Sequence, residues 1–365
     1  KHVTLDEIGR RIAIGSFNFD LAPVIIVAFF TALLVMGTKI GARVDGALTI
    51  LKIAIVVFIV VVGFFYIKAE NFTPFIPPSE PAASTDGSGV SAVMEQPLWQ
   101  WATGMAPSIY GVTGIISGAA LVFFAFLGFD VVATASEETI NPKKNVPLGI
   151  GVGLGLIIVL YTLVAIVTTG MVSYKDLAKQ SDPSLAVAFK MVGADWAAKI
   201  ISLGIVIGMA TVVMVLLLGL TRVVFAMSRD GLLPRGLSHT GKHGTPVRLQ
   251  IIVGVVMALI AACCNVGILS DMVNIGTLSA FTLVAISIPI MRKKRPDLER
   301  SFKIPGNPWV PILIAIANLW LMVNLSVLTW IRFVVWLIVG FAIYFGYGYR
   351  HARLGAGELE VAAQE

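Results

Sequence analysis

Charge is scarce in this sequence. Asp, Glu, Lys and Arg make up 13% of its 365 residues, against roughly 25% in an ordinary soluble domain. That deficit excludes a conventional water-soluble globule, and 57% hydrophobic residues with a mean hydropathy of +0.89 place the chain in a bilayer. Cysteine is scarcer still, with only Cys263 and Cys264, adjacent in an apolar run. Neighbouring cysteines build no disulfide framework, and metal ligation needs partners the run lacks, so they read as small apolar packing residues. The four histidines, His2, His239, His243 and His351, all fall in connections or termini. They form no metal-ligand spacing, and no nucleophile is paired with a base, so neither a metal nor an organic cofactor is implied. A membrane-embedded enzyme needs converging His, Asp or Ser groups at depth, and the apolar runs do not supply them. The net charge of +6 is no sign of nucleic acid, because the basic residues cluster between apolar runs, where they orient a membrane protein. The first 20 residues hold no signal-peptide core. There Leu5, Ile8 and Ile12 share one helical face, which predicts a segment lying along the membrane interface.

What the sequence has is long apolar runs. About 20 apolar residues cross a bilayer as a helix, and nine such runs are present, at 21–38, 44–66, 115–136, 148–172, 197–221, 249–266, 270–290, 309–328 and 332–349. The connections divide the basic residues unevenly. Lys39, Arg43, Lys143, Lys144, five residues between Arg222 and Arg248, six between Arg292 and Lys303, and Arg350 with Arg353 put 17 of the 27 on one side. The other side holds nine, offset by carboxylates such as Asp20, Glu70, Asp176 and Asp271, and Lys52 lies inside a run. The richer side is cytoplasmic by the positive-inside rule, so the N-terminus is outside and the C-terminus inside. The long connection 67–114 carries Pro-Pro-Ser-Glu-Pro and Ser-Thr-Asp-Gly-Ser-Gly. It is expected to be extracellular, with those two runs flexible and solvated and Trp99 and Trp101 as interface anchors.

One run departs from the rest. Residues 123–138 read FFAFLGFDVVATASEE, with a Gly and an Asp in the middle of an apolar span. A helix in lipid must satisfy its own backbone groups, so Gly128 beside Asp130 marks a weak place, and transporters put broken helices at such places to hold small ligands. FFAFLGFD followed by EETINPKKNVP resembles the sixth helix and next loop of the bacterial amino acid permeases. These belong to the amino acid–polyamine–organocation superfamily, and the cationic amino acid transporters are its most similar branch. DGALTILKIAIVVF (45–58) resembles the family's fifth helix, TRVVFAMSRDGLLP (221–234) the end of its eighth, and NIGTLSAFTLV with RKKRPDLERSFKIPGNPWVP its tenth helix and the loop beyond. Several motifs in the right order make the resemblance specific.

The resemblance implies an all-α polytopic membrane protein whose nine helices correspond to helices four to twelve of a five-plus-five inverted-repeat transporter. Residues 1–20 would be an extracellular interfacial segment, 21–66 two helices ending the first repeat, 67–114 an extracellular loop and 115–291 the second repeat. A basic cytoplasmic loop at 292–308, two C-terminal helices at 309–349 and a cytoplasmic tail at 350–365, expected to be disordered from Gly355 on, complete the chain. Nothing here resembles the glycine-rich break of the family's first helix, which binds the substrate carboxylate. The expectation is therefore an N-terminally truncated chain that lacks half of the binding site.

Phe124, Ala125, Leu127 and Gly128 are the substrate-binding candidates. Carbonyls of an unwound segment would accept bonds from a substrate ammonium, and family correspondence makes Phe124 an aromatic gate. The competing reading is an ordinary apolar helix with one Gly. Asp130 is a carboxyl at membrane depth, where a charge costs about 2.5–3.5 kcal/mol on insertion scales; it faces a polar cavity, is protonated, or caps a helix at the interface. Glu137 and Glu138 read as structural residues at the cytoplasmic end. Lys52 lies seven residues past Asp45, about 10 Å into the membrane at 1.5 Å per residue. Removal from water favours a neutral amine, which suits proton coupling, and in proton-coupled relatives a lysine here stands in for a sodium ion. The bland reading is a lysine that snorkels to the interface. Gly208, Thr211 and Met214 lie about a turn apart; Met214 is a candidate for the pocket wall, with helix packing as the alternative.

The implied function is secondary uptake of amino acids across the plasma membrane, in a bacterial inner membrane, coupled to protons and working by alternating access. A polyamine or organic-cation carrier, an exchanger, or a non-transporting remnant or assembly partner are the alternatives. The expected partners are an amino acid, protons and the lipid bilayer, not nucleic acid; a small accessory membrane subunit is not specified. The topology is directly testable. In a background without Cys263 and Cys264, a cysteine at Ser88 should react with a membrane-impermeant maleimide in sealed cells. Labelling at Ser88 only after permeabilisation would invert the orientation.

Overall fold

Without water to complete backbone hydrogen bonds, an apolar run in lipid closes them internally and becomes a helix. The computed structural model of the chain describes residues 3–5, 11–14, 17–35, 38–81, 90–106, 108–129, 131–134, 139–180, 183–239, 246–264, 266–298, 300 and 302–352. In chain order these form β1 (Val3–Leu5), β2 (Arg11–Ile14), β3 (Phe17–Asp20), α1 (Leu21–Val35), α2 (Thr38–Phe64), β4 (Glu80–Pro81), α3 (Val90–Glu95) and α4 (Leu98–Thr103). There follow β5 (Ser108–Ile109), α5 (Gly111–Val122), α6 (Val131–Thr134), α7 (Pro142–Met171), α8 (Tyr174–Ala178), α9 (Leu185–Met191) and α10 (Asp195–Arg229). The last are α11 (Val247–Cys263), α12 (Val266–Lys294), α13 (Trp309–Val323) and α14 (Val327–Ile343). Among the described residues five helical segments are long and apolar enough to cross a membrane, at Gly46–Phe64, Pro142–Met171, Asp195–Arg229, Val266–Lys294 and Val327–Gly348, and shorter apolar helices accompany them. The architecture is that of a polytopic helical membrane protein.

Three expectations are corrected. The N-terminal segment is not an interfacial helix: β1, β2 and β3 form an antiparallel sheet with Val3 opposite Ile14 and Arg11 opposite Asp20. Arg-Ile-Ala-Ile and Phe-Asn-Phe-Asp alternate with period two, and that pattern outweighs the helical spacing of Leu5 and Ile12; Ile8 lies outside the described residues. The connection 67–114 is not wholly flexible. Its described part carries α3, α4 and the antiparallel pair β4–β5, while Ser-Thr-Asp-Gly-Ser-Gly lies outside the described residues. Cys263 and Cys264 are exposed at the end of α11 rather than packed.

The chain divides into two compact units. The first comprises Lys1–Phe75, Phe129–Ile140 and Leu148–Cys263. There α10 packs on α1, α2, α9 and α11. Gly204 and Gly208, one turn apart on α10, admit α2. A Cβ at Gly204 would lie 2.8 Å from Ile55 Cδ1 and Cγ2, and one at Gly208 3.7 Å from Lys52 Cδ. Lipid tails are as apolar as the helices, so contact between helices comes from such close approach. Phe189 and Ile201 anchor one apolar cluster of this unit; Val27, Leu34, Met214, Leu217, Leu249 and Val253 join α1, α10 and α11 in another.

The second unit comprises Ile76–Gly128, Asn141–Pro147 and Cys264–Glu365. Here α12 packs along α13 and α14 and meets α5, with Ile275 and Leu278 buried against Ala120, Met322, Leu325 and Phe333. The corner between α13 and α14 ties down the preceding connection: Leu98 N–H donates to the Leu325 carbonyl (3.0 Å) and Val327 N–H to that of Gln96 (3.1 Å). Ser326 caps α14 by accepting from Thr329 N–H (3.3 Å). Thr329 Oγ1 donates to Asp271 Oδ2 (3.2 Å), so Ser326 supplies the proton between the two hydroxyls, 2.7 Å apart. At the far end of α12, Arg300 donates to the carbonyls of Met291 (3.3 Å), which also accepts from Arg295 N–H, and of Arg295 (2.6 Å) and Leu298 (2.9 Å) just beyond the helix.

The glycine contact in the first unit is testable. Gly204→Val should cost about 1–3 kcal/mol by overpacking against Ile55, seen as a lower melting temperature in detergent. Gly149→Ala, where an added Cβ meets nothing within 4 Å, should be neutral or stabilise by about 0.5–1 kcal/mol.

Candidate functional site

The helix that starts at Gly111 does not run through. It leaves α geometry after Val122 and tightens into a 3-10 turn at Phe123–Phe126; the next helix in the chain, α6, begins at Val131. Leu127 N–H donates to the Phe124 carbonyl (3.3 Å), closing the tight turn. Leu127 is extended (φ −64°, ψ 146°) and Gly128 has φ +109°. An added Cβ at Gly128 would meet nothing within 4 Å, so it is the backbone angle, not space, that asks for glycine. The break anticipated from Gly128 is therefore present. It gathers Phe124, Ala125, Leu127 and Gly128 into one irregular stretch, with Phe124 and Ala125 exposed and Leu127 and Gly128 half-buried. Asp130, Glu137 and Glu138 lie outside the described residues.

Lys52 belongs to the first unit, on α2. Its Nζ donates to Thr211 Oγ1 on α10 at 2.7 Å. Thr211 is 1% exposed and gives its own proton to the Gly208 carbonyl at 2.8 Å. A hydroxyl has one proton to give, so Thr211 presents only a lone pair to Lys52. An ammonium and a neutral amine both carry N–H and can both use it. A snorkelling lysine ends in water; this one ends on a buried hydroxyl. Met214, 4% exposed, sits in the apolar cluster with Val27 and Leu249, where packing accounts for its side chain.

Sequence reasoning grouped Thr211 with Gly208 and Met214 as residues of pocket width or helix packing and missed it as the partner of Lys52. It also passed over Asn274 inside NIGTLSAFTLV, although a polar side chain in an apolar span is a signal in itself. Asn274 is fully buried. In the first unit a cavity of about 530 Å³ opens at the C-terminal end of α2, lined by Tyr66, Lys68, Glu70, Asn71, Ser173 and Asp176 among others. It lies about 20 Å along α2 from Lys52 at 1.5 Å per residue. Its charges have both signs, and Lys68 and Glu70 are exposed, so it selects no ligand class. Among the described residues no three His, Cys, Asp or Glu side chains group as a metal site.

Comparison with known proteins adds to this geometry. Residues 18–346 match the family model described as amino acid permease. The methylthioribose transporter of Bacillus subtilis is 40% identical over 97% of this chain and 69% of its own length. The branched-chain amino acid permease BcaP of the same organism is 40% identical over 93% of this chain and 66% of its own. Cationic amino acid transporter 3 of Arabidopsis thaliana is 34% identical over 77% of this chain and 42% of its own. The chain thus spans about two thirds of the length of the bacterial relatives and less than half of the plant one.

The Lys52–Thr211 bond makes a stability prediction. Thr211→Val keeps the shape but withdraws the acceptor, and should lower stability by about 1–3 kcal/mol. Thr211→Ser should stay within about 1 kcal/mol of the parent. Thermal unfolding of the purified variants in matched detergent checks both.

Proposed function

Because the chain belongs to the amino acid permease family, a family of multi-pass membrane transporters and not of enzymes, we propose that it serves in proton-coupled secondary uptake of amino acids across the plasma membrane. The observation that carries this reading is the break at Phe123–Phe129. Non-helical backbone at membrane depth is tolerated where it lines a cavity or is buried in protein, and it offers carbonyls to a ligand. A carbonyl has two lone pairs, so one that already accepts from Leu127 N–H has a second for a substrate ammonium. Phe124 is 47% exposed and serves as the aromatic gate. In this reading the nine apolar runs are helices four to twelve of an inverted-repeat fold, and segments 21–66 and 115–291 belong to its two repeats. Alternating access moves the bound substrate from one side of the membrane to the other.

Lys52 is the proton-coupling group, with Asp130 as its second candidate. A neutral amine is content with the lone pair of Thr211, whereas an ammonium has three donors to satisfy. Protonation therefore changes how α2 holds α10, and a group that interacts differently with two conformations shifts the balance between them.

The cargo class has a second reading, favoured by one observation: relatives of equal identity are named for a branched-chain amino acid and for methylthioribose. Backbone carbonyls accept O–H as readily as N–H, so the same break suits an amine or a polyol. Competition by leucine, lysine and methylthioribose against each labelled compound separates these readings.

The coupling is tested on the product of the complete reading frame in proteoliposomes. An inward gradient of one pH unit sustains about tenfold accumulation through one-to-one coupling. Lys52→Ala should equilibrate substrate without concentrating it. Equal proton-driven accumulation by variant and parent, at matched protein content, would remove Lys52 from the mechanism.

A further inference from the structure

Asn274 is the side chain of the second unit that packing explains least. It is fully buried on α12 beside the apolar cluster of Ile275, Leu278 and Ala120. Its Nδ2 lies 3.5 Å from the Leu121 carbonyl in the last turn of α5, and its Oδ1 is buried with no partner. A buried amide is unfavourable except where it is hydrogen-bonded, so a leucine would sit there more cheaply if packing were the whole purpose. The carbonyl that it meets stands where α5 gives way to the 3-10 turn at Phe123–Phe126. The Leu121 carbonyl already accepts from Phe123 N–H, and its second lone pair, which lipid offers no water to fill, is what the Asn274 amide meets. Seven residues further along α12, and so on the same face, Phe281 meets Phe123 edge to face, with centroids 6.2 Å apart and an interplanar angle of 80°. Two contacts of different chemistry from one helix thus bracket the junction, an amide at Leu121 and a ring at Phe123.

We propose that Asn274 is a positioning residue that fixes where α5 leaves α geometry, and through it the direction of the carbonyls from Phe124 to Leu127. It touches no substrate itself. The separation of 3.5 Å is at the long limit of a hydrogen bond. A carboxamide also carries both a donor for a surplus carbonyl and an acceptor for a surplus N–H. It can therefore serve the junction before and after the spacing changes. The functional arm of this inference rests on the transport reading above; the structural arm does not.

The test combines hydrogen exchange in nanodiscs with the concentration dependence of uptake by the product of the complete reading frame. In Asn274→Leu, exchange over 119–129 should quicken about tenfold while peptides of α13 and α14 stay as in the parent. The apparent KM should rise about tenfold with a smaller change in maximal rate. Asn274→Gln, which keeps the primary amide, should recover part of both. Unchanged exchange over 119–129 overturns the proposal whatever the uptake shows, and so does faster exchange spread evenly over α12, α13 and α14. Absence of uptake in parent and variants alike refutes the transport reading, and the exchange data then decide on Asn274 alone. Should the leucine variant fail to fold, Asn274→Ser, too short to reach Leu121, undergoes the same two measurements.

Discussion

A backbone in hydrocarbon has no solvent to finish its hydrogen bonds, and every element described here answers to that condition. The apolar runs meet it as helices. Their ends meet it with side chains, as Ser326 does at the start of α14 and Arg300 at the end of α12. The stretch Phe123–Phe129 departs most from helix geometry, because Leu127 is extended and Gly128 takes a positive φ. An interruption of that kind persists only where neighbouring groups hold it, and α12 is the helix with which Leu121 and Phe123 make contact. The irregular backbone and the polar residue on α12 are in this sense one feature.

The first unit shows the same economy at a different place. One turn of α10 does two things at once: Gly208 offers no side chain, which lets α2 come close, and its carbonyl takes the Thr211 proton, which turns that oxygen toward Lys52. The placement of the amine thus follows from helix packing. Magnitudes favour this bond over the exposed ion pairs. A hydrogen bond contributes about 0.5–1.5 kcal/mol, and a buried partner left unsatisfied costs about 1–3 kcal/mol, whereas surface pairs such as Arg229–Asp230 at 3.7 Å and Lys179–Asp176 at 3.0 Å are worth about 0–1 kcal/mol.

The helices were legible in the sequence because lipid admits so few alternatives, and the break was legible because Gly128 interrupts a run that otherwise has no reason to stop. Where water competes, local pattern was a weaker guide. Leu5 and Ile12 fit a helical spacing, yet Arg11–Ile14 and Phe17–Asp20 also alternate, and over four residues the two periods are hard to separate. In an all-round apolar run no period shows which face is turned outward, so the exposure of Cys263 was not visible. The ordered part of 67–114 depends on backbone bonds such as Leu98 N–H to Leu325, which leave no mark in composition. The partners of Lys52 and Asn274 lie 159 and 153 residues away in the chain, beyond the reach of any local motif.

Polar residues of α12 add directional bonds to a helix that apolar contact already holds. Asp271 takes the Thr329 hydroxyl from α14, and one turn on Asn274 reaches the Leu121 carbonyl of α5. Hydrogen bonds between membrane helices average only about 0.6 kcal/mol and reach about 1–2 kcal/mol. Neither bond could hold two helices against thermal motion alone. The apolar contacts of Ile275 and Leu278 supply adhesion that has no preferred direction, and the weak directional bonds choose one arrangement among those the adhesion permits. Loss of the Asn274 bond would then cost the junction its direction while α12 stays packed on α13. A broken helix relies on that division between adhesion and direction, because a junction held by apolar contact alone would have no defined geometry.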